Sequence, residues 1–145
     1  MDRKQFLSLI GGGAATVALF SCTGCSKSSQ GPGNNNQGTI TGPTGIDFTL
    51  DLTASANSAL LANGGYLASN GVLVARTNAG VYIAVQQSCT HQNYPLIYNG
   101  ASDEFFCNNH GSAFSDKGVV LNSPANRNLV VYNTTLSGTS LRVYS

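Results

Sequence analysis

Val72-Leu73-Val74-Ala75-Arg76-Thr77-Asn78-Ala79-Gly80-Val81-Tyr82-Ile83-Ala84-Val85 is the stretch on which the fold class turns. Two runs rich in β-branched and aromatic residues flank Asn78-Ala79-Gly80, a turn signal, so the segment reads as two strands joined in a hairpin. Outward from it, Phe48, Leu50 and Leu52 alternate with polar residues, and further strands are expected at Glu104–Phe106, Val119–Leu121, Leu129–Thr134 and Leu141–Tyr144. Asn63-Gly64, Asn70-Gly71, Asn99-Gly100 and Ser137-Gly138 punctuate these runs as turns. Only Ser55–Leu61 suggests a helical turn. With 17 glycines and 15 asparagines, the chain has the composition of short strands and many tight turns, and no internal repeat is visible. The expected class is all-β.

The chain has 145 residues, which is room for one domain. Seven Lys+Arg against six Asp+Glu give a net charge of +1, and 9% of residues are charged. No basic field exists to hold nucleic acid phosphates or an anionic membrane surface.

Residues 1–21 read as an export signal: Asp2, Arg3 and Lys4, then a largely apolar run from Phe6 to Phe20. That run is shorter than the roughly 20 residues a spanning helix needs, and Gly11, Gly12 and Gly13 interrupt it. Leu19-Phe20-Ser21-Cys22 is similar to a bacterial lipobox, which implies acylation at Cys22, with Cys25 a second candidate. Acyl chains would anchor the protein by burying CH₂ groups at about 0.8 kcal/mol each. Arg3-Lys4-Gln5-Phe6-Leu7 also resembles a twin-arginine signal with one arginine replaced by lysine. Cys22-Thr23-Gly24-Cys25 has the C-x-x-C spacing of a redox pair, but Ser/Gly/Asn coil follows it rather than a helix. Residues 22–45, with Gly31-Pro32-Gly33-Asn34-Asn35-Asn36, are too polar to repay their ordering entropy and read as a tether. The folded domain is expected over 46–145.

Both histidines of the chain, and both cysteines outside the leader, fall in two boxes: Cys89-Thr90-His91 and Cys107-Asn108-Asn109-His110-Gly111-Ser112. Two thiolates and two imidazoles suit a structural zinc site. Each box, however, contributes one Cys and one His, whereas zinc fingers pair like with like along the chain. Such mixed boxes suit a 2Fe-2S cluster with two Cys on one iron and two His on the other.

Residues 46–145 resemble the Rieske 2Fe-2S domain. The second box continues as His110-Gly111-Ser112-Ala113-Phe114-Ser115-Asp116-Lys117-Gly118, close to the family's H-G-S-x-F-D-x-x-G. Ser123-Pro124-Ala125 stands where the family has a loop covering the cluster, followed by Leu129-Val130-Val131-Tyr132. The resemblance implies an antiparallel β sandwich with a small cluster-binding subdomain built from two loops. It implies Cys89 and Cys107 on the inner iron and His91 and His110 on the outer, solvent-facing one, with Ser112, Phe114 and Pro124 lining the cluster. Neutral imidazoles in place of thiolates make reduction easier, in a range of roughly −150 to +300 mV. Where high-potential members carry a bracing pair of cysteines, this chain has Tyr94 and Asn109, and Phe114 stands where quinol oxidisers have a hydrogen-bonding tyrosine. One donor fewer implies a potential in the lower or middle part of that range.

No histidine remains for a mononuclear oxygenase iron, no C-x-x-C-H marks a haem, and no glycine fingerprint marks a nucleotide site. The expectation is therefore a one-electron carrier without a substrate site of its own: exported to the periplasm or envelope, lipid-anchored, and serving an unidentified redox donor and acceptor. A second reading is the iron-sulfur subunit of a larger oxidoreductase, resembling the arsenite oxidase small subunit or the Rieske subunit of a cytochrome bc complex. A third, from a different class, is a zinc-stabilised binding module.

Overall fold

The computed structural model describes residues 42–145. The expected export signal, Cys22, Cys25 and nearly all of the tether lie outside the described residues. Nine strands and one 3₁₀ segment, Ser55–Leu61, make up the described part. The strands are β1 (Asp47–Asp51), β2 (Tyr66–Ser69), β3 (Val72–Arg76), β4 (Tyr82–Gln86), β5 (Ile97–Asn99), β6 (Glu104–Phe106), β7 (Ala113–Ser115), β8 (Val131–Ser137) and β9 (Ser140–Tyr144). Six form an antiparallel sheet in the order β1-β9-β8-β4-β3-β2, and three form a second sheet, β5-β6-β7. The fold is all-β, as the composition and turn spacing imply.

The hairpin of β3 and β4 is its centre, paired Val72↔Gln86 to Arg76↔Tyr82. Side chains alternate across a strand, and here both faces are covered. Leu73, Ala75 and Val85 enter one core with Phe105 and Phe114, while Val72, Val74 and Ala84 enter another with Leu50, Tyr132, Leu141 and Val143. That is why the run at 72–75 is continuously apolar rather than alternating. The first core joins the hairpin to the three-stranded sheet; the second joins it to β1, β8 and β9.

Several elements differ from the sequence reading. The strand expected at 129–134 runs Val131–Ser137. Val119–Leu121 forms only a bridge, Phe114↔Val120, because Ser115 and Gly118 turn the chain tightly just before it, with Gly118 at φ 72°. Strands β2, β5 and β7 were not expected; at three or four residues they are too short to show a period. Packing already begins at the end of the expected tether: Gly42 is buried, and the Tyr132 hydroxyl donates to the Pro43 carbonyl at 2.7 Å.

Candidate metal centre

Two loops rise from the sheets toward one another: Gln87–Leu96 between β4 and β5, and Cys107–Ser112 between β6 and β7. They are the same turn made twice. The Cys89 N–H donates to the Tyr94 carbonyl (2.8 Å) and the Asn93 N–H to the Cys89 carbonyl (2.9 Å); in the second loop Cys107 N–H reaches Ser112 O (2.8 Å) and Gly111 N–H reaches Cys107 O (2.9 Å). The fourth residue after each cysteine takes the left-handed conformation, Asn93 at φ 63° and Gly111 at φ 80°. Glycine does this freely, and asparagine is among the side chains that tolerate it. Each turn therefore sets a cysteine at its base and a histidine near its tip.

The outcome is a polarised site. Cys89 and Cys107 are 1% and 2% exposed and belong to the core beside Phe105 and Phe114. Both are free thiols. Burial pushes the Cys89 thiol up; the His91 N–H pulls it back, the Cys107 sulfur beside it raises it further, and the Ser112 hydroxyl lowers it. His91 is half-buried and His110 exposed, with ring centroids 4.9 Å apart edge to face. Tyr94 stands edge-on to His110 at 6.2 Å. The Asn109 amide lies on the His110 ring, Nδ2 3.0 Å from Nδ1, and is exposed and able to turn away.

The residues flanking the loops hold them in place. Ser112 is fully buried and its oxygen accepts from the Ala125 N–H at 3.0 Å, leaving its own proton for the sulfur side. Thr90 Oγ1 donates to the Arg127 carbonyl at 2.8 Å. The segment carrying Pro124 is thus tied to both loops. Gln86, also fully buried, donates to the Ser88 carbonyl at 2.6 Å and accepts from the Val130 N–H at 2.9 Å, fixing the approach to Cys89. Phe114 is fully buried and Pro124 exposed. Gln86, Thr90 and Arg127 escaped sequence reasoning because their partners are 37 or 44 positions away along the chain, apart from the local bond to Ser88.

Among the described residues no three His, Cys, Asp or Glu side chains converge on a single metal position. The four instead meet as a sulfur pair inside and an imidazole pair outside. That division matches the donor set of a centre with two irons, each taking one kind of ligand. The description "Rieske [2Fe-2S] domain" matches residues 54–133, more than half of the chain. The chain belongs to the Rieske [2Fe-2S] domain family. It binds a [2Fe-2S] cluster, and its chemistry is iron-sulfur electron transfer.

Solved structures agree. The cyanobacterial plasma membrane Rieske protein PetC3 from Synechocystis PCC 6803 is 33% identical, with a TM-score of 0.52 over 61% of this chain and 93% of that one. The ferredoxin of carbazole 1,9a-dioxygenase from Nocardioides aromaticivorans IC177 is 20% identical, with a TM-score of 0.53 over 70% of this chain and 98% of that one, a likeness of fold. No curated protein matches the chain.

Proposed function

We propose that this Rieske protein is an exported, lipid-anchored one-electron carrier whose cluster is held by Cys89 and Cys107 on the inner iron and by His91 and His110 on the outer. The observation that carries the assignment is the polarity of the site: two buried thiols back to back, two imidazoles together at the surface. The cluster supplies a single-electron redox step. The protein keeps water from the sulfurs, aims the Ser112 hydroxyl at Cys89, and presents the imidazole edges to a redox partner. Tyr94, 46% exposed beside His110, adds an apolar rim for docking. With so few charges, weak salt dependence of electron exchange is expected.

The anchoring part of the proposal rests on the leader, with Cys22 as the acylated residue and 22–45 as the tether. No helix among the described residues is long and apolar enough to cross a membrane. A relative named as a plasma membrane Rieske protein is consistent with work at a membrane surface. Phe114, which cannot donate a hydrogen bond, and the absence of a cysteine pair at Tyr94 and Asn109 support a potential in the lower or middle part of the family's range.

The test is the low-temperature EPR spectrum of the dithionite-reduced full chain, with iron, zinc and acyl content measured on one sample. A rhombic signal of low average g, with two irons per chain that are lost in Cys107→Ala and His110→Ala, is the expected result. A colourless, EPR-silent protein holding zinc would overturn the ligand assignment, and an unacylated membrane-extracted chain would overturn the anchor.

A further inference from the structure

Three segments meet at the metal centre: the two loops, 87–96 and 107–112, and the stretch 123–129 that carries Pro124 and is bonded to both. Histidines aside, these segments contain one charged side chain, Arg127. It is half-buried, and no carboxylate pairs with it, the ion pair among the described residues being Arg142 with Asp47.

Both hydrogen bonds of Arg127 to the first loop go to the same residue. Thr90 Oγ1 donates to the Arg127 carbonyl at 2.8 Å, and Arg127 Nη2 donates to the Thr90 carbonyl at 3.4 Å. Thr90 is 3% exposed and stands between Cys89 and His91. The carbonyl that takes the guanidinium belongs to the same peptide unit as the His91 N–H, and that N–H draws the Cys89 thiol back down from where burial pushes it. One amide thus has a cation at its oxygen and a buried sulfur at its hydrogen. Hydrogen bonds in series polarise one another, so a positive charge on the oxygen side withdraws electron density from the N–H and makes it a stronger donor.

We infer that Arg127 is a positioning residue for electron transfer: acting through the Thr90–His91 peptide, its charge strengthens the donor to the Cys89 sulfur and holds the centre at a higher potential than a neutral side chain would. The inference rests on the ligand assignment proposed above. An added electron is a unit of negative charge, and a half-buried cation beside the loop that receives it is screened by solvent and salt less than an exposed one. The electron comes from the redox partner, and no proton moves at Arg127, whose guanidinium stays charged throughout. The effect runs opposite to that of Phe114, which supplies no donor.

Full chains loaded with the cluster are compared by iron content, protein-film voltammetry at constant ionic strength and visible-band thermal melts. Arg127→Gln keeps an N–H donor and removes the charge. At a fixed ambient potential its reduced-to-oxidised ratio should fall at least threefold, which is about 28 mV at 59 mV per tenfold change for one electron. Arg127→Lys keeps the charge and should recover at least half of that shift. Thr90→Val removes the hydroxyl bond and leaves the guanidinium on the carbonyl, so it should melt lower at an unchanged potential. Arg142→Gln removes the same charge from the exposed pair with Asp47 and should leave the potential unchanged. A wild-type chain without two irons would overturn the ligand assignment and this inference with it. With two irons present, the inference alone is overturned by a potential that holds in Arg127→Gln, that falls as far in Thr90→Val or Arg142→Gln, or that Arg127→Lys does not restore.

Discussion

Ser112→Ala separates two jobs that the structure gives to one hydroxyl. Its oxygen accepts the Ala125 N–H at 3.0 Å, and both residues are buried, so removal strands a donor away from water. An orphaned buried donor costs about 1–3 kcal/mol. For a domain of this size each kcal/mol moves the melting temperature by roughly 4–8 °C, so a fall of about 4–24 °C is expected. The same hydroxyl pulls the Cys89 thiol down from where burial pushes it, which favours the more negatively charged state of the sulfur. If that interaction is about 1.4 kcal/mol stronger in the reduced than in the oxidised state, its loss lowers a one-electron potential by about 60 mV. Thr90→Val is the matched control. It breaks the 2.8 Å bond to the Arg127 carbonyl and loosens the same Pro124 segment, but it leaves the sulfur's donor in place. Protein-film voltammetry and visible-band thermal melts of the three loaded proteins decide the matter. Both variants should melt lower, and only Ser112→Ala should shift in potential. A potential that falls equally in Thr90→Val, or that holds in Ser112→Ala while the melting temperature drops, would refute donation to the sulfur.

Gln86→Ala should be costlier than either, by about 3 kcal/mol or more, since it strands the Ser88 carbonyl and the Val130 N–H and leaves a cavity, as urea titration will measure. Tyr98→Phe tests a pH dependence of stability. Burial, and then the Asp103 carboxylate that accepts its proton at 2.6 Å, push the Tyr98 hydroxyl well above its ordinary value, and the same bond holds Asp103 low. A raised folded value means that the stabilisation is complete below a pH of about 10, the unfolded value, and is lost as pH climbs toward the folded one. For Asp103 the sign is opposite: stability is present above about pH 3.9 and lost as pH falls from there toward the folded value. Wild-type melting temperatures should therefore drop on both limbs, and Tyr98→Phe should be less stable at pH 7 with flatter limbs; parallel curves for the two proteins would count against the pair.

What was legible in the sequence was what local chemistry determines. The hairpin of β3 and β4 showed itself through β-branched runs around Asn78-Ala79-Gly80, and the metal centre through scarce residue types at fixed spacing. The left-handed residues that close the two loops, Asn93 and Gly111, were not read as turns: Gly111 was quoted only as part of a motif, and asparagine takes that conformation without being required to. Strands of three residues such as β5 and β7 exist because the Tyr98↔Phe105 and Phe105↔Phe114 pairings and the core demand them, not because their own residues prefer to be extended. The clamps on the loops, Gln86 to Val130 and Thr90 to Arg127, join positions far apart in the chain, so only the folded molecule brings them into view.

The repeated turn explains why this arrangement suits electron transfer. A cysteine whose carbonyl and N–H are both consumed in closing its own turn cannot move without breaking that turn, and each loop fixes its cysteine in this way. The histidines sit two and three residues further on, within the segments that the two bonds close and near the tip of each turn. The sulfurs are therefore held by the core, while the imidazoles are held chiefly by whatever they bind and by Tyr94 at the edge of His110. In the proposed assignment the iron nearer solvent would be the one with the softer mounting and the neutral ligands. Added charge would then fall on the side where a partner can collect it, and the buried sulfurs, with Ser112 donating to Cys89, would need little rearrangement when the electron arrives or leaves. The Pro124 segment, bonded to both loops through Ser112 and Thr90, resists their separation, which is the task that a cysteine pair at Tyr94 and Asn109 would otherwise perform.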